Sequence, residues 1–351
     1  MALQFNDLLT LAKTVAKANP SAPTAYSFGD KNFGYSELQE TLRAEFKELA
    51  GDYSLYRKNK NTIFELIENT IDDVLPQKVM QNYSTFAEIK TFAQGDKPIF
   101  TQKITTASRN RAKSFIGKVG LAGLYEVFKL DGTSYEVTTN AIGGAAQIGF
   151  EEFLDGRVDF ADVLDVVMEG LDECIYIEIE KQLNGAIANI NPNNFDTAGG
   201  FDEGKFDVLL SKADSYGKST IYCTYEFAAT MIPQNAQWAS EEMKNQKWNN
   251  GYIGNYKGHT VIVLAQSWED GLDPVSGKML PNKYRVIDPS YAYIIPTGAE
   301  KPVKIAFEGQ TIVDEYTNYD RSREVQVYKK VGVRAIFSQA ICVFQNSQLH
   351  R

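Results

Sequence analysis

A chain of 351 residues is long enough for a full hydrophobic core and usually for two lobes. Its hydrophobic fraction of 43% and charged fraction of 23% are ordinary for a folded protein, and no apolar run approaches the roughly 18–20 residues needed to cross a bilayer. The formal charge of −9 argues against a broad DNA-reading surface, which needs a basic excess, and the opening MALQFNDLLTLAKTVAKANP lacks the basic-then-apolar order of a secretory signal.

Leucine and alanine spacing predicts a helix over 5–18, ended by Asn19-Pro20. A loop with Pro20, Pro23, Gly29 and Gly34 leads to a second helix, with Ser36 as its N-cap, running to about 50. A third helix is predicted from Asn61 to Leu75, ended by Pro76, so residues 1–85 read as an arm with a helical base. Strand-like stretches follow at 86–92, 98–105, 124–130 and 134–139, with Asp131-Gly132 as a hairpin turn. Between them ASRNRAKSFIGKVGLAG reads as a long, mobile basic loop.

The strongest periodicity comes next. Phe160, Leu164, Val167, Leu171, Ile175, Ile179, Leu183 and Ile187 recur in steps of three and four, which predicts a helix over 158–190 ended by Pro192. At 1.5 Å per residue it would span roughly 50 Å. Gly170 and Gly185 lie inside it, at about 1 kcal/mol each relative to alanine. Helices are predicted at 203–215, 224–231 and 236–247, and strands at 218–223, 259–265 and 291–296. The end of the chain is strand-rich, at 303–308, 311–316, 323–331 and 333–344, with Gly332 as a break or bulge.

A search for chemistry finds little. Cys174, Cys223 and Cys342 form no CxxC pair and read as buried small hydrophobes in a reducing compartment. The two histidines are His259 and His350; His259 opens a strand and reads as a hydrogen-bonded strand end. GKVGLAG at 117–123 has neither the dinucleotide spacing nor the P-loop spacing. Pairs such as Glu151 with Glu152 read as solvated helix faces, and Asp202, Glu203 and Asp207 as a solvated first helical turn suited to the helix dipole. No catalytic, cofactor or metal residue is assigned.

Charge is more informative. Residues 97–125 carry Lys97, Lys103, Arg109, Arg111, Lys113 and Lys118 with no acid. Residues 151–180 carry eleven acids, among them Asp162, Asp165, Glu169, Asp172, Glu173 and Glu180, with Arg157 the only base. Such blocks repel themselves and attract each other. A long basic hairpin does not easily fold back on the helix that follows it. It could lie across the acidic helix of a neighbouring copy.

This order of elements resembles the major capsid proteins of tailed bacteriophages, with the Hong Kong phage-type capsid fold. The resemblance covers roughly 85–345 and rests on the ordered set, including AAQIGFEEFLDGRVDFADVLDVV, GNYKGHTVIVLA, IDPSYAYIIP and SREVQVYKKVGVRAIF. It implies an α+β fold with an N-terminal arm (1–85), an extended hairpin loop (95–137) and a peripheral domain (138–204 and 299–351) containing a spine helix at 158–190. An axial domain (205–298) completes it. It further implies a non-enzymatic subunit that forms pentamers and hexamers, closes into an icosahedral shell around double-stranded DNA without binding it specifically, and resides in the virion after assembly in the host cytoplasm. Scaffolding, portal and decoration proteins are the further partners so implied; no cofactor or membrane is. The rivals are an encapsulin, which shares the fold and packages an enzyme, and an α+β enzyme, which would need a pocket with convergent polar groups.

Overall fold

The computed structural model describes residues 4–18, 26–28, 31–102, 133–147, 160–231, 241–264, 266, 268–269, 284–296, 300–317, 323–338 and 340–349. The chain divides into two compact units. The first is Met1–Pro98, Val137–Ile175 and Ile305–Val333; the second is Ile99–Glu136, Tyr176–Lys304 and Arg334–Arg351. Both are mixtures of helix and sheet, so the fold class is α+β. No helix among the described residues is long and apolar enough to cross a membrane.

The first unit opens with α1 (Phe5–Lys17), a short hairpin of β1 (Tyr26–Phe28) and β2 (Lys31–Phe33), and α2 (Tyr35–Ala50). Leu8, Leu11, Ala12 and Val15 of α1 meet Leu38, Leu42, Phe46 and Ala50 of α2 in one apolar cluster. Those positions recur every three or four residues, the spacing that puts them on one helix face. Ser36 is not the cap. The chain enters α2 at Gly34, whose N–H donates to the Glu37 carboxylate at 3.0 Å.

α3 runs over Tyr53–Tyr83, well past the predicted stop at Pro76, which lies inside the helix. An internal proline lacks one hydrogen bond and costs about 3 kcal/mol. Ile71, Val74 and Leu75 are buried before it, and Val79 and Tyr83 after it. A face buried on both sides of the proline offsets that cost, which a local signal does not reveal.

The sheet of this unit has the order β3 (Ala87–Phe92), β14 (Val303–Thr317), β15 (Arg323–Ala335), β6 (Asn140–Gln147). The strands predicted at 303–308 and 311–316 are one strand. Gly309 within it takes φ +68°, a conformation glycine adopts without strain. Gly332 does not break β15: a Cβ there would lie 2.6 Å from the Thr138 carbonyl oxygen, so glycine permits a close approach inside a continuous strand. β6 was not foreseen, because its sequence NAIGGAAQ has Ile142 as its one β-branched residue and no aromatic, a weak strand signal.

α3 is fastened to β14 by carboxylates. Asp72 accepts the Thr311 N–H at 2.9 Å and the Thr311 hydroxyl at 2.5 Å, and it pairs with Lys329, which is 2% exposed. One turn earlier, Glu68 accepts the Val313 N–H at 2.8 Å. Residues i and i+4 of a helix share a face, and residues 311 and 313 share an orientation on a strand, so the two contacts repeat in register. Burial holds the Glu68 carboxyl above its ordinary value, only partly countered by the Val313 N–H; Asp72, Asp314 and Glu65 push it further up. A carboxyl raised in the folded state contributes stability below its unfolded value and loses it as pH rises through the folded value. Glu68→Gln keeps an oxygen acceptor for Val313 but removes that charge. Its stability relative to the parent chain is therefore expected to be more favourable at pH 7 than at pH 4, checked by urea titrations of both at the two pH values.

The second unit holds the small antiparallel pair β4 (Ile99–Gln102) with β5 (Thr133–Glu136), in register Ile99↔Glu136. The described ends of the predicted hairpin loop thus pair; its residues 103–132, with the strand at 124–130 and the turn at 131–132, lie outside the described residues. α4 (Phe160–Ile187) starts in the first unit and ends in the second. β7 (Phe195–Ala198), α5 (Glu203–Asp214), β8 (Ser219–Cys223), α6 (Tyr225–Thr230) and α7 (Glu241–Asn250) follow, then β9 (Asn255–Tyr256), β10 (His259–Val263), β13 (Tyr291–Pro296) and β16 (Cys342–Asn346). β11 (Trp268–Glu269) and β12 (Tyr284–Arg285) form a separate two-stranded pair.

The sheet order is β7-β16-β13-β8-β10-β9. Phe206, Leu209, Leu210 and Ala213 of α5 pack on Ile221, Cys223, Ile294 and Phe344 of this sheet. Buried aromatic edges meet there, with Phe206 and Phe344 rings 5.6 Å apart.

Candidate inter-subunit surface

α4 carries the acids singled out by charge. Leu171, Ile175, Ile179 and Leu183 are buried as the periodicity predicts, and Met168, Tyr176 and Glu180 are buried with them. The inward face is therefore two residues wide. Glu180, one of the eleven acids, does not face solvent: it is 1% exposed, and its carboxylate accepts the Asp288 N–H at 3.0 Å and the Asn184 side-chain amide at 2.8 Å. A buried carboxylate needs such donors.

Glu169 and Glu173 are exposed on α4, together with Gly170 and Cys174, and Val166 is 69% exposed. Asp172 is half-buried. One carboxylate oxygen accepts from the Asn82 side-chain amide at 3.3 Å, and burial raises its carboxyl above the ordinary range against the pull of nearby Lys78. It therefore ties α4 to α3 within the subunit. The side chains of Asp162 and Asp165 lie outside the described residues, as do Lys103, Arg109, Arg111, Lys113 and Lys118. Of the candidate contact residues, the structure brings Glu169 and Glu173 together on the open face.

The other candidates have structural roles. His259 Nδ1 lies 3.1 Å from the Ser219 carbonyl oxygen, and Nε2 lies 3.2 Å from the Asp214 carboxylate, so the imidazole ties a strand start to the end of α5. Asp202 caps α5 by accepting the Lys205 N–H at 3.2 Å. Glu203 and Asp207 close around the Lys257 ammonium, 2.5 Å from each, so an internal cation answers these carboxylates. Burial pushes the Cys223 thiol up to about 12 and the Cys342 thiol to about 11, which leaves both protonated near neutrality. Cys174 departs from expectation: it is exposed, because it falls on the outer side of α4. A cavity lined by Phe100, Tyr135, Lys304 and Ser338 measures about 10 Å³, room for one water.

The family described as "SPbeta prophage-derived putative capsid protein YonB" matches residues 7–345. No curated protein matches the chain. Among solved structures, the chain is similar to the capsid of a native GTA particle at 11% identity and a TM-score of 0.49, over 75% of this chain and 89% of that one. It is similar to a protein of Microbacterium phage Oxtober96 at 11% identity and a TM-score of 0.46, over 75% and 90% of the two chains. It is also similar to the encapsulin of Synechococcus elongatus, at 10% identity and a TM-score of 0.40 over 74% and 87%. With the family match running through both units, the chain belongs to this prophage-derived capsid protein family.

Proposed function

We propose that copies of this capsid protein form rings of five and six that close into an icosahedral shell around double-stranded DNA. The observation that carries this reading is the family match over residues 7–345, which takes in the helical N-terminus, both sheets and α4. On this reading the Hong Kong phage-type parts follow the chain: an arm at 1–85, an extended hairpin loop at 95–137, a peripheral domain at 138–204 and 299–351 with α4 as its spine, and an axial domain at 205–298. The net charge of −9 supports a wall that holds DNA without gripping it, because phosphate affinity comes from lysine and arginine. The basic stretch 97–125 of one copy would lie across Glu169 and Glu173 of the next. Contacts that are weak singly become strong when a closed shell repeats them. Scaffolding, portal and decoration proteins would join at assembly in the host cytoplasm, and the product would be the virion.

Negative-stain microscopy of the expressed chain tests the reading. Closed shells, or rings of five and six, are the expected result, with DNA as the content of particles recovered from induced lysogens. A protein that stays monomeric at high concentration, even with phage lysate added, would overturn it. Shells filled by a co-purifying enzyme would shift the reading to a cellular compartment.

A further inference from the structure

We propose that β6 is an open sheet edge onto which an extended segment of a second copy of this chain adds as one more strand. The inference rests on the capsid reading and names a joint within it.

β6 ends its sheet. It pairs with β15 from Glu324↔Gln147 to Val331↔Asn140, and among the described residues no strand lies on its other side. In an antiparallel ladder, alternate residues direct their N–H and C=O groups to opposite neighbours. An eight-residue edge therefore presents a row of main-chain donors and acceptors away from β15. Asn140, Ala141, Gly143 and Gly144 are exposed, and nothing lies within 4 Å of the point where a Gly144 side chain would begin.

Such an edge recruits other chains, and proteins that stay single guard it with charge, proline or brevity. The other described edges of the two larger sheets are charged or short. β3 carries Glu88 and Lys90, paired at 2.7 Å. β7 carries Asp196, held by Lys205 at 3.3 Å, and β9 is two residues long. Among the described edge strands of these two sheets β6 is the longest, and its sequence NAIGGAAQ has neither charge nor proline.

The chemistry of the edge selects its occupant. Groups alternating along a strand are matched by another strand about 4.8 Å away, and not by a helix or a phosphate backbone. Ala141, Gly143 and Gly144, small and exposed, leave room for that approach. A second copy is the partner, because the family is one of capsid proteins and a shell is built from copies.

Hydrogen exchange of the segment 140–147 tests this in the full chain, compared between dissociated subunits and particles assembled from this chain alone. The fastest-exchanging half of its amides is expected to slow at least about tenfold in particles, as strand pairing protects them. Unchanged exchange overturns the proposal, and so does protection that appears only after a second phage protein is added. Proline placed singly at Ala141 and Ile142 gives an independent arm, since adjacent N–H groups point to opposite sides. One variant should destabilise the subunit by breaking the β15 ladder; the other should fold normally and form no particles. A folded proline variant that yields normal particles overturns the proposal. If both variants unfold, the exchange result decides alone. Failure of the unaltered chain to form any particle is a separate outcome, and it removes the capsid reading instead.

Discussion

Asp72→Ala is expected to cost the isolated subunit about 3–5 kcal/mol, the range found when one partner of a buried ion pair is removed. Lys329 is 2% exposed, with its ammonium against Asp72 and 5.8 Å from the Phe307 ring, so the loss leaves a buried charge without its carboxylate. Two further donors, the N–H and hydroxyl of Thr311, lose their acceptor at the same time. Lys329→Met should cost clearly less. It removes the charge, fills similar space, and leaves Asp72 with its Thr311 donors. Urea titration of dissociated subunits measures both. Equal losses for the two substitutions would show that the seam acts through shape, not charge.

The largest effect on assembly is expected from reversing Arg109, Arg111 and Lys113 to glutamate. Folded subunits should form, with unchanged circular dichroism, but closed particles should not. The cause is repulsion: three acids would face the exposed Glu169 and Glu173 of a neighbour. Reversing Glu169 and Glu173 to lysine should impair assembly in the same way. Joining the two sets in one chain should restore it at least partly, because the signs again oppose. Normal particles from the triple variant, or no recovery in the combined one, would remove this contact. Assembly of the wild-type chain should weaken as salt is raised, because salt screens contacts between exposed charges.

Much of the local structure was legible in the sequence. β13 occupies Tyr291–Pro296, the very range that its alternating aromatics and aliphatics predict. α4 and α5 follow their apolar periods, since one buried face imposes one spacing. The failures are long-range. Whether Pro76 ends a helix depends on what packs around it. Whether an acid is solvated depends on partners far along the chain: Glu180 accepts from Asp288, and Asp72 meets Lys329. β6 was missed because its alanines and glycines carry almost no strand signal; its partner β15 holds it in place. For the candidate contact, the acidic half was readable as a charge run, yet geometry was needed to set Glu169 and Glu173 apart from Asp172 and Glu180.

The pairing of β6 with β15 also orders events in time. A chain made from its N-terminus completes β6 at Gln147, long before β15 is complete at Ala335. Until then β6 has no strand beside it in its sheet, and the second unit likewise waits for β16. The helices packed in the first 66 residues, held by contacts nearer in sequence, are able to form early. The joining edge exists as a strand only once the last strands have arrived, so growing chains on neighbouring ribosomes lack the surface that would fuse them prematurely.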